Sequence, residues 1–426
     1  MKLSWVQIVR LGIVQMALGA IVVLTTSTLN RLMIVVLALP AILRGLLVGL
    51  HYGIQITRPN WGYRSDTGGK RTRWIIGGMA TLAAGAMIAA LAIPLFETTF
   101  TAGLALSIFA YVLLGVGVGA SGTSLLALLA TATLPQRRAA AATIVWLMMI
   151  FGIAVTAGIV GSLLNPYSHA LLLRSVAVVT GAAVLITALA VWGIEARVIA
   201  EREADSTPFM QGLAEVWSER RARHFTIFVF LSMTAYFMQE LILEPYAGLV
   251  FAFTPGQSTS LSGAQNGGVF IGMLLVGIAA TGLKIGSLRA WVTAGCIGSA
   301  AALIAIATVG QIGPKTALLP TVVALGFFNG MFAVAAIGSM MALAGQGREQ
   351  REGTRMGLWG AAQAIAAGFG GLAGAALVDI LRLFMPDASA FGAVFTFEAA
   401  IFVAAAVMAL AIIEKPGQAP VMVPGE

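Results

Sequence analysis

The sequence predicts an all-α membrane protein of twelve transmembrane helices with both termini in the cytoplasm. Three observations lead there. Of 426 residues, 59% are hydrophobic and 10% charged, and the mean hydropathy is +0.94, far from the composition of soluble domains. The apolar residues run in segments long enough, at about 1.5 Å per helical residue, to cross a ~30 Å hydrocarbon core. The basic residues gather in alternate loops, as the positive-inside rule requires.

The expected spans are about 6–29, 33–57, 74–95, 101–131, 139–163, 170–194, 225–253, 264–284, 289–309, 316–345, 355–380 and 391–413. The first is followed directly by others, so a cleavable signal is not expected. Spans 101–131 and 316–345 exceed what a bilayer needs and should tilt, protrude or contain a loop end. One set of loops holds Lys2 and Arg10; Arg58, Arg64, Lys70, Arg71 and Arg73; Arg137 and Arg138; Arg197, Arg202, Arg220, Arg221 and Arg223; Lys284 and Arg289; Arg348, Arg351 and Arg355; and Lys415. Of the 25 Lys and Arg, only Arg31, Arg44, Arg174, Lys315 and Arg382 fall elsewhere. This distribution places both termini in the cytoplasm and rejects the nucleic-acid reading that a net charge of +8 invites. The longest polar segment, Glu195 to Arg223, divides the chain into bundles at 1–194 and 224–413, with a linker at 195–223 and a tail at 414–426. Within the linker, Phe209 to Arg221 carries Phe209, Leu213, Val216 and Trp217 on one side and reads as an amphipathic surface helix. Trp5, Trp61, Trp74 and Trp192 read as interface anchors. Cys296 is the single cysteine, which excludes a disulfide framework and a cysteine metal site.

The least ordinary span is the seventh. It carries Gln239, Glu240 and Glu244, with Pro245 and Tyr246 beyond. Two carboxylates four residues apart share one helix face, and Pro245 favours a kink. Acids in a span cost several kcal/mol unless they meet a partner, a protein interior or water. The pair either lines a binding face or is solvated near the outer interface. Arg44 falls close to the middle of the second span, where it pairs with a carboxylate, binds an anionic group or snorkels.

The loop after the second span reads Gly62-Tyr-Arg-Ser-Asp66-Thr-Gly-Gly69-Lys70-Arg71. It is similar to the major facilitator motif Gly-x-x-x-Asp-Arg-x-Gly-Arg-Arg, whose glycines permit a tight cytoplasmic turn and whose Asp latches to a neighbouring helix end. Thr67 stands where that family usually has Arg, and the matching second-half loop, Gly282 to Arg289, has no acid. The resemblance implies a six-plus-six (6+6) major facilitator architecture. More narrowly, Leu29-Asn30-Arg31, Met238 to Gly268, Phe328-Asn329-Gly-Met-Phe and Gly357-Leu-Trp-Gly-Ala-Ala-Gln363 resemble the PucC, or bacteriochlorophyll delivery, family. Val35-Val36-Leu37 stands where that family often has a Glu-Leu pair. Ser4 to Arg10 and Trp74 to Gly78 are most similar to a member carrying a synthase label.

That label fails a chemical check. A prenyl-transferring pigment synthase needs paired aspartates to hold Mg²⁺ and a diphosphate, yet Asp66, Asp205, Asp379 and Asp387 are the only aspartates and no two are four apart. No dinucleotide-binding glycine loop or His/Cys metal cluster appears either, so catalysis is not expected. The family resemblance implies a non-enzymatic factor of the inner or intracytoplasmic photosynthetic membrane. It would bind bacteriochlorophyll, with light-harvesting or reaction-centre polypeptides, pigment-synthesis enzymes and membrane lipid as partners. Gln239, Glu240, Glu244, Tyr246, His51, Arg44 and Asn329 are the candidate contacts. His51 is either an axial nitrogen for the pigment Mg or a hydrogen-bonded or solvated histidine near the interface. A proton-coupled transporter using Glu240 or Glu244 and an accessory subunit of the synthase are the competing readings.

Overall fold

The computed structural model describes residues 2–25, 29, 41–67, 70–163, 168–195, 209–253, 255–283, 285–344 and 352–413. Every expected span carries a helix. In chain order these are α1 (Trp5–Val23), α2 (Ala41–Ile54), α3 (Arg58–Thr67), α4 (Arg71–Thr98), α5 (Phe100–Ala132), α6 (Arg138–Leu163) and α7 (His169–Val191). They continue as α8 (Phe209–Ser218), α9 (Arg220–Phe251), α10 (Pro255–Gly277), α11 (Leu288–Ile312), α12 (Leu318–Ala344), α13 (Glu352–Arg382) and α14 (Asp387–Ile412). Among the described residues, ten helices are long and apolar enough to cross a membrane, or eleven when the bent α9 counts as one span.

Local chemistry sets several ends. Ser4 opens α1 with a reciprocal capping box to Gln7, which satisfies two donors that a helix start leaves orphaned. Ser168 accepts from Leu171 N–H at the start of α7. The long span at 101–131 is one unbroken helix of 33 residues, about 50 Å at helical rise, so it exceeds the bilayer core by protruding or tilting rather than by breaking. The linker helix is shorter than expected: α8 stops at Ser218 and α9 begins at Arg220. Val216 is buried, but Trp217 is 45% and Met210 69% exposed; the apolar side of α8 is therefore only partly covered by protein.

The chain forms two compact units, Met1–Ala222 with Met340–Gly368, and Arg223–Ser339 with Phe369–Glu426. In the first unit α4 lies along α5, α1 along α6 and α7, and α2 and α3 against α5. Glycines set the spacing where α4 meets α5: a Cβ on Gly78 or Gly117 would overlap backbone of the facing helix. In the second unit α11 lies along α14, and aromatic rings fill the interior. Phe332 contacts Phe228 at 6.4 Å and Phe402 at 6.0 Å between ring centroids, edge to face.

Candidate functional site

A buried charged constellation in the first unit is built on Asp66. Its Oδ1 accepts from Arg71 Nη2 at 2.8 Å and from Gly353 N–H at 2.9 Å; its Oδ2 accepts from Thr354 N–H at 2.9 Å and Thr354 Oγ1 at 3.2 Å. The side chains of Asp66 and Arg71 are both fully buried. The carboxylate therefore caps the first turn of α13, where orphan N–H groups and the helix dipole favour an anion. Burial pushes the Asp66 carboxyl up; Arg71 and Thr354 pull it down, and Glu352 adds to the rise. Four donors and no acceptor surround its oxygens, a geometry that holds the ionised form.

A second carboxylate mirrors the first. Glu195 accepts from Arg71 N–H at 2.8 Å, Thr72 N–H at 3.0 Å and Thr72 Oγ1 at 2.7 Å, and so caps α4. Arg71 joins the two caps, its backbone N–H donating to Glu195 and its Nη2 to Asp66, while its Nη1 donates to Thr131 Oγ1 at 2.7 Å and Ala127 O at 3.3 Å. The expected turn at Gly62 is corrected: residues 58–67 are helical, and Gly62 is needed because a Cβ there would overlap the Gly353 carbonyl. Lys70 is exposed in extended backbone before α4. Gly69 lies outside the described residues.

His51 resolves by a chain of donors. Arg58 can only donate, and its Nη2 reaches Gln55 Oε1 at 2.5 Å. The Gln55 amide must then present Nε2 to His51 Nε2, 3.0 Å away, so that nitrogen is the acceptor and Nδ1 carries the proton. Of the readings left open for His51, the hydrogen-bonded one is what this arrangement shows; the lone pair an axial ligand needs is engaged. Arg58 also donates to Gly360 O at 3.3 Å. Burial lowers Arg58 to about 10, which keeps it charged at neutral pH. The side chain of Arg44 lies outside the described residues.

In the second unit, α9 bends by 48° between Glu240 and Pro245, as the proline requires. Glu240 is exposed on the protein surface, whereas Gln239 beside it is buried and its Oε1 has no hydrogen-bond partner among the described residues. The Glu244 side chain lies outside the described residues. Tyr246 is packed inside the second unit. Its hydroxyl donates to Ile306 O at 2.6 Å, and its ring is enclosed by Phe251, Phe391 and Phe395. Asn329 is buried, and its Oδ1 accepts from Ser299 Oγ at 2.7 Å. The sequence reading missed Glu398, buried within α14 with neither carboxylate oxygen hydrogen-bonded among the described residues. An acid inside an apolar run is the signal that could have found it. Also among the described residues, no three His, Cys, Asp or Glu side chains cluster as metal ligands.

Solved structures define the class first. A bacterial homologue of the iron transporter ferroportin, outward-facing, matches with a TM-score of 0.78 at 12% identity, covering 96% of this chain and 99% of that one. The Escherichia coli fucose:proton symporter matches with a TM-score of 0.69 at 13% identity, covering 96% and 98%. The fold is that of the major facilitator transporters. The sequence model described as "PUCC protein" matches residues 28–416, and the chain belongs to that family. It is 65% identical, over the full length of both, to the "Bacteriochlorophyll synthase 44.5 kDa chain" of Rhodobacter capsulatus. It is 29% identical to "Protein PucC" of Cereibacter sphaeroides, over 92% of this chain and 89% of that protein.

Proposed function

We propose that this multi-pass membrane protein is a non-enzymatic assembly factor that holds bacteriochlorophyll and passes it to light-harvesting or reaction-centre polypeptides. The observation that carries the reading is membership of the PUCC family over residues 28–416. The absence from the sequence of paired aspartates for a diphosphate supports a holding role over a bond-making one. In this reading twelve helices span the inner or intracytoplasmic membrane with both termini cytoplasmic. The pigment meets α9 beside the 48° bend, at the exposed Glu240 and, on the inner side, at the buried Gln239, whose Oε1 has no hydrogen-bond partner among the described residues. Pigment-synthesis enzymes are further partners, and an accessory role in a synthase would explain the label on the R. capsulatus relative.

A proton-coupled transporter is the second reading, favoured by an acid on a bent span in a transporter fold. One preparation separates the two. The protein is purified in mild detergent from a phototrophic host, and the absorbance of the peak and its co-eluting proteins are recorded. Pigment or antenna polypeptides are expected with the wild type, with pigment reduced in Glu240→Gln and retained in His51→Leu. A colourless protein that moves solute in proteoliposomes would overturn the proposal, and full pigment in Glu240→Gln would overturn the placement.

A further inference from the structure

Glu398 sits in the middle of α14, and neither reading of the function uses it. Its side chain is fully buried, and neither carboxyl oxygen has a hydrogen-bond partner among the described residues. Its neighbours along the helix show what it faces. Phe395, Glu398 and Phe402 are spaced by three and four residues and so share one helix face. On that face Phe395 meets Tyr246 of α9 with ring centroids 5.0 Å apart, and Phe402 meets Phe332 of α12 at 6.0 Å. The carboxyl is therefore held inside the second unit, between two aromatic contacts.

A second unsatisfied group stands at the same level. Helix α12 is antiparallel to α11, because a Cβ on Gly295 would meet Phe332 and one on Gly298 would meet Phe328. Helix α14 is antiparallel to α11 as well: Gly392 faces Ala307 and Gln311, while Phe402 touches the Phe332 that lies against Gly295. Helices α12 and α14 thus run in the same direction. Counted back from the touching rings, Asn329 is three residues before Phe332 and Glu398 four before Phe402, about 4.5 and 6 Å at helical rise. Asn329 is fully buried; its Oδ1 accepts from Ser299 Oγ at 2.7 Å, and its Nδ2 has no partner among the described residues. This level carries two unused carboxyl oxygens and one unused amide donor. No cation accompanies them: α12 has no charged residue, and α11 has only Arg289, in its first turn. From α9 and α11 the titratable groups in this interior are Tyr246, whose hydroxyl goes to Ile306 O, and the buried Cys296, and neither brings a positive charge.

An ionised carboxylate enclosed without a cation or a donor is too costly to persist, and such a group is neutralised instead. We propose that Glu398 is a proton-binding site of the second unit, occupied in this conformation, with Asn329 Nδ2 placed to donate to the carboxylate once the proton leaves. The proton passes to water admitted when the interior between α9, α12 and α14 opens. The inference stands apart from any pigment role.

The test is infrared spectroscopy of the full chain in detergent at neutral pH. The C=O stretch of a protonated carboxyl lies apart from the carboxylate and amide bands and shifts on exchange into D2O. Such a band is expected in the wild type and should be lost in Glu398→Gln. In Asn329→Leu it should persist at a shifted frequency, because an amide dipole at the same level has been removed; an unmoved band would overturn the part given to Asn329. A wild type without the band, or a Glu398→Gln variant that keeps the whole of it, would overturn the proposal. A band present in potassium chloride and lost as sodium replaces potassium would assign the site to a metal cation and overturn the proposal equally. The wild-type measurement stands by itself should a variant fail to fold.

Discussion

Replacing Asp66 by Asn is the sharpest perturbation the structure offers. The substitution keeps shape and one acceptor oxygen. It removes the charge opposite Arg71 and, with the retained oxygen kept on Arg71 and Gly353 N–H, turns an amide NH2 toward Thr354 N–H and Thr354 Oγ1, which now meet a carboxylate oxygen. Arg71 is fully buried, and breaking a buried pair by deleting one partner typically costs about 3–5 kcal/mol. The Glu352 carboxylate 3.6 Å from Arg71 Nη2, the Thr131 and Ala127 contacts of Arg71 and the retained acceptor favour the lower end, about 3 kcal/mol. In thermal unfolding of the detergent-solubilised protein that corresponds to a fall on the order of 5 °C in midpoint. The double variant with Arg71→Gln should unfold at a higher temperature than the sum of the single effects predicts, with coupling of about 1–3 kcal/mol. A midpoint within about 1 °C of wild type for Asp66→Asn, or strict additivity in the cycle, would refute the reasoning.

Three further outcomes are expected. Gly62→Ala drives a Cβ into the Gly353 carbonyl and should cost about 1–3 kcal/mol. Gly77→Ala, with nothing within 4 Å of its Cβ, should be neutral or stabilising by up to ~1 kcal/mol, and equal midpoints for these two glycine variants would contradict the packing argument. Glu398→Gln replaces a carboxyl buried without a hydrogen-bond partner among the described residues by an amide of the same shape that cannot ionise, so it should leave the midpoint unchanged or raise it; loss of folded protein on gel filtration would count against this. Tyr246→Phe deletes the hydrogen bond to Ile306 O and should lower stability by about 1 kcal/mol without altering any retained pigment; a colour change would return Tyr246 to the contact face.

The helices were legible because hydropathy over twenty residues is a sum, and sums survive local exceptions. For the same reason Glu398 was hidden: one carboxylate inside α14, Asp387–Ile412, hardly moves a window average. Pro245 announced its bend because a missing N–H acts on its own helix. Asp66 announced that it was special, but not what it holds, since Gly353 and Thr354 lie 287 and 288 residues away. Thr67 in place of the usual Arg does not leave the latch without a cation. Arg71, the last residue of the same motif, supplies it from the start of the next helix. Glu195 and Glu219 read as ordinary linker charge, and only the packed structure reveals one as the cap of α4 and the other as the counter-ion of Arg355. Tyr246 went the other way: a polar tip near two acids suggested a ligand contact, while the fold spends that hydroxyl on a neighbouring carbonyl.

Set side by side, the corresponding loops of the two halves show how unequal their fastenings are. After α2 the chain fixes two helix starts with buried carboxylates bridged by one residue, Arg71, through its backbone N–H to Glu195 and its guanidinium to Asp66. The second-half loop turns at Gly286, with φ +75°, and closes with neutral groups: Ser287 Oγ accepts from Ala290 N–H at 3.2 Å and Trp291 Nε1 donates to Ile285 O at 3.0 Å. A neutral cap is worth about 1 kcal/mol and can open without exposing an unpaired charge. Opening the Asp66 latch keeps the Asp66–Arg71 pair but gives up three contacts of a buried carboxylate to Gly353 and Thr354, each charge-assisted and stronger than a neutral cap. A two-sided gate of matched strength would need comparable fastenings in both loops. Among the described residues of these two loops there is one electrostatic closure and one neutral one, so the two fastenings differ in strength.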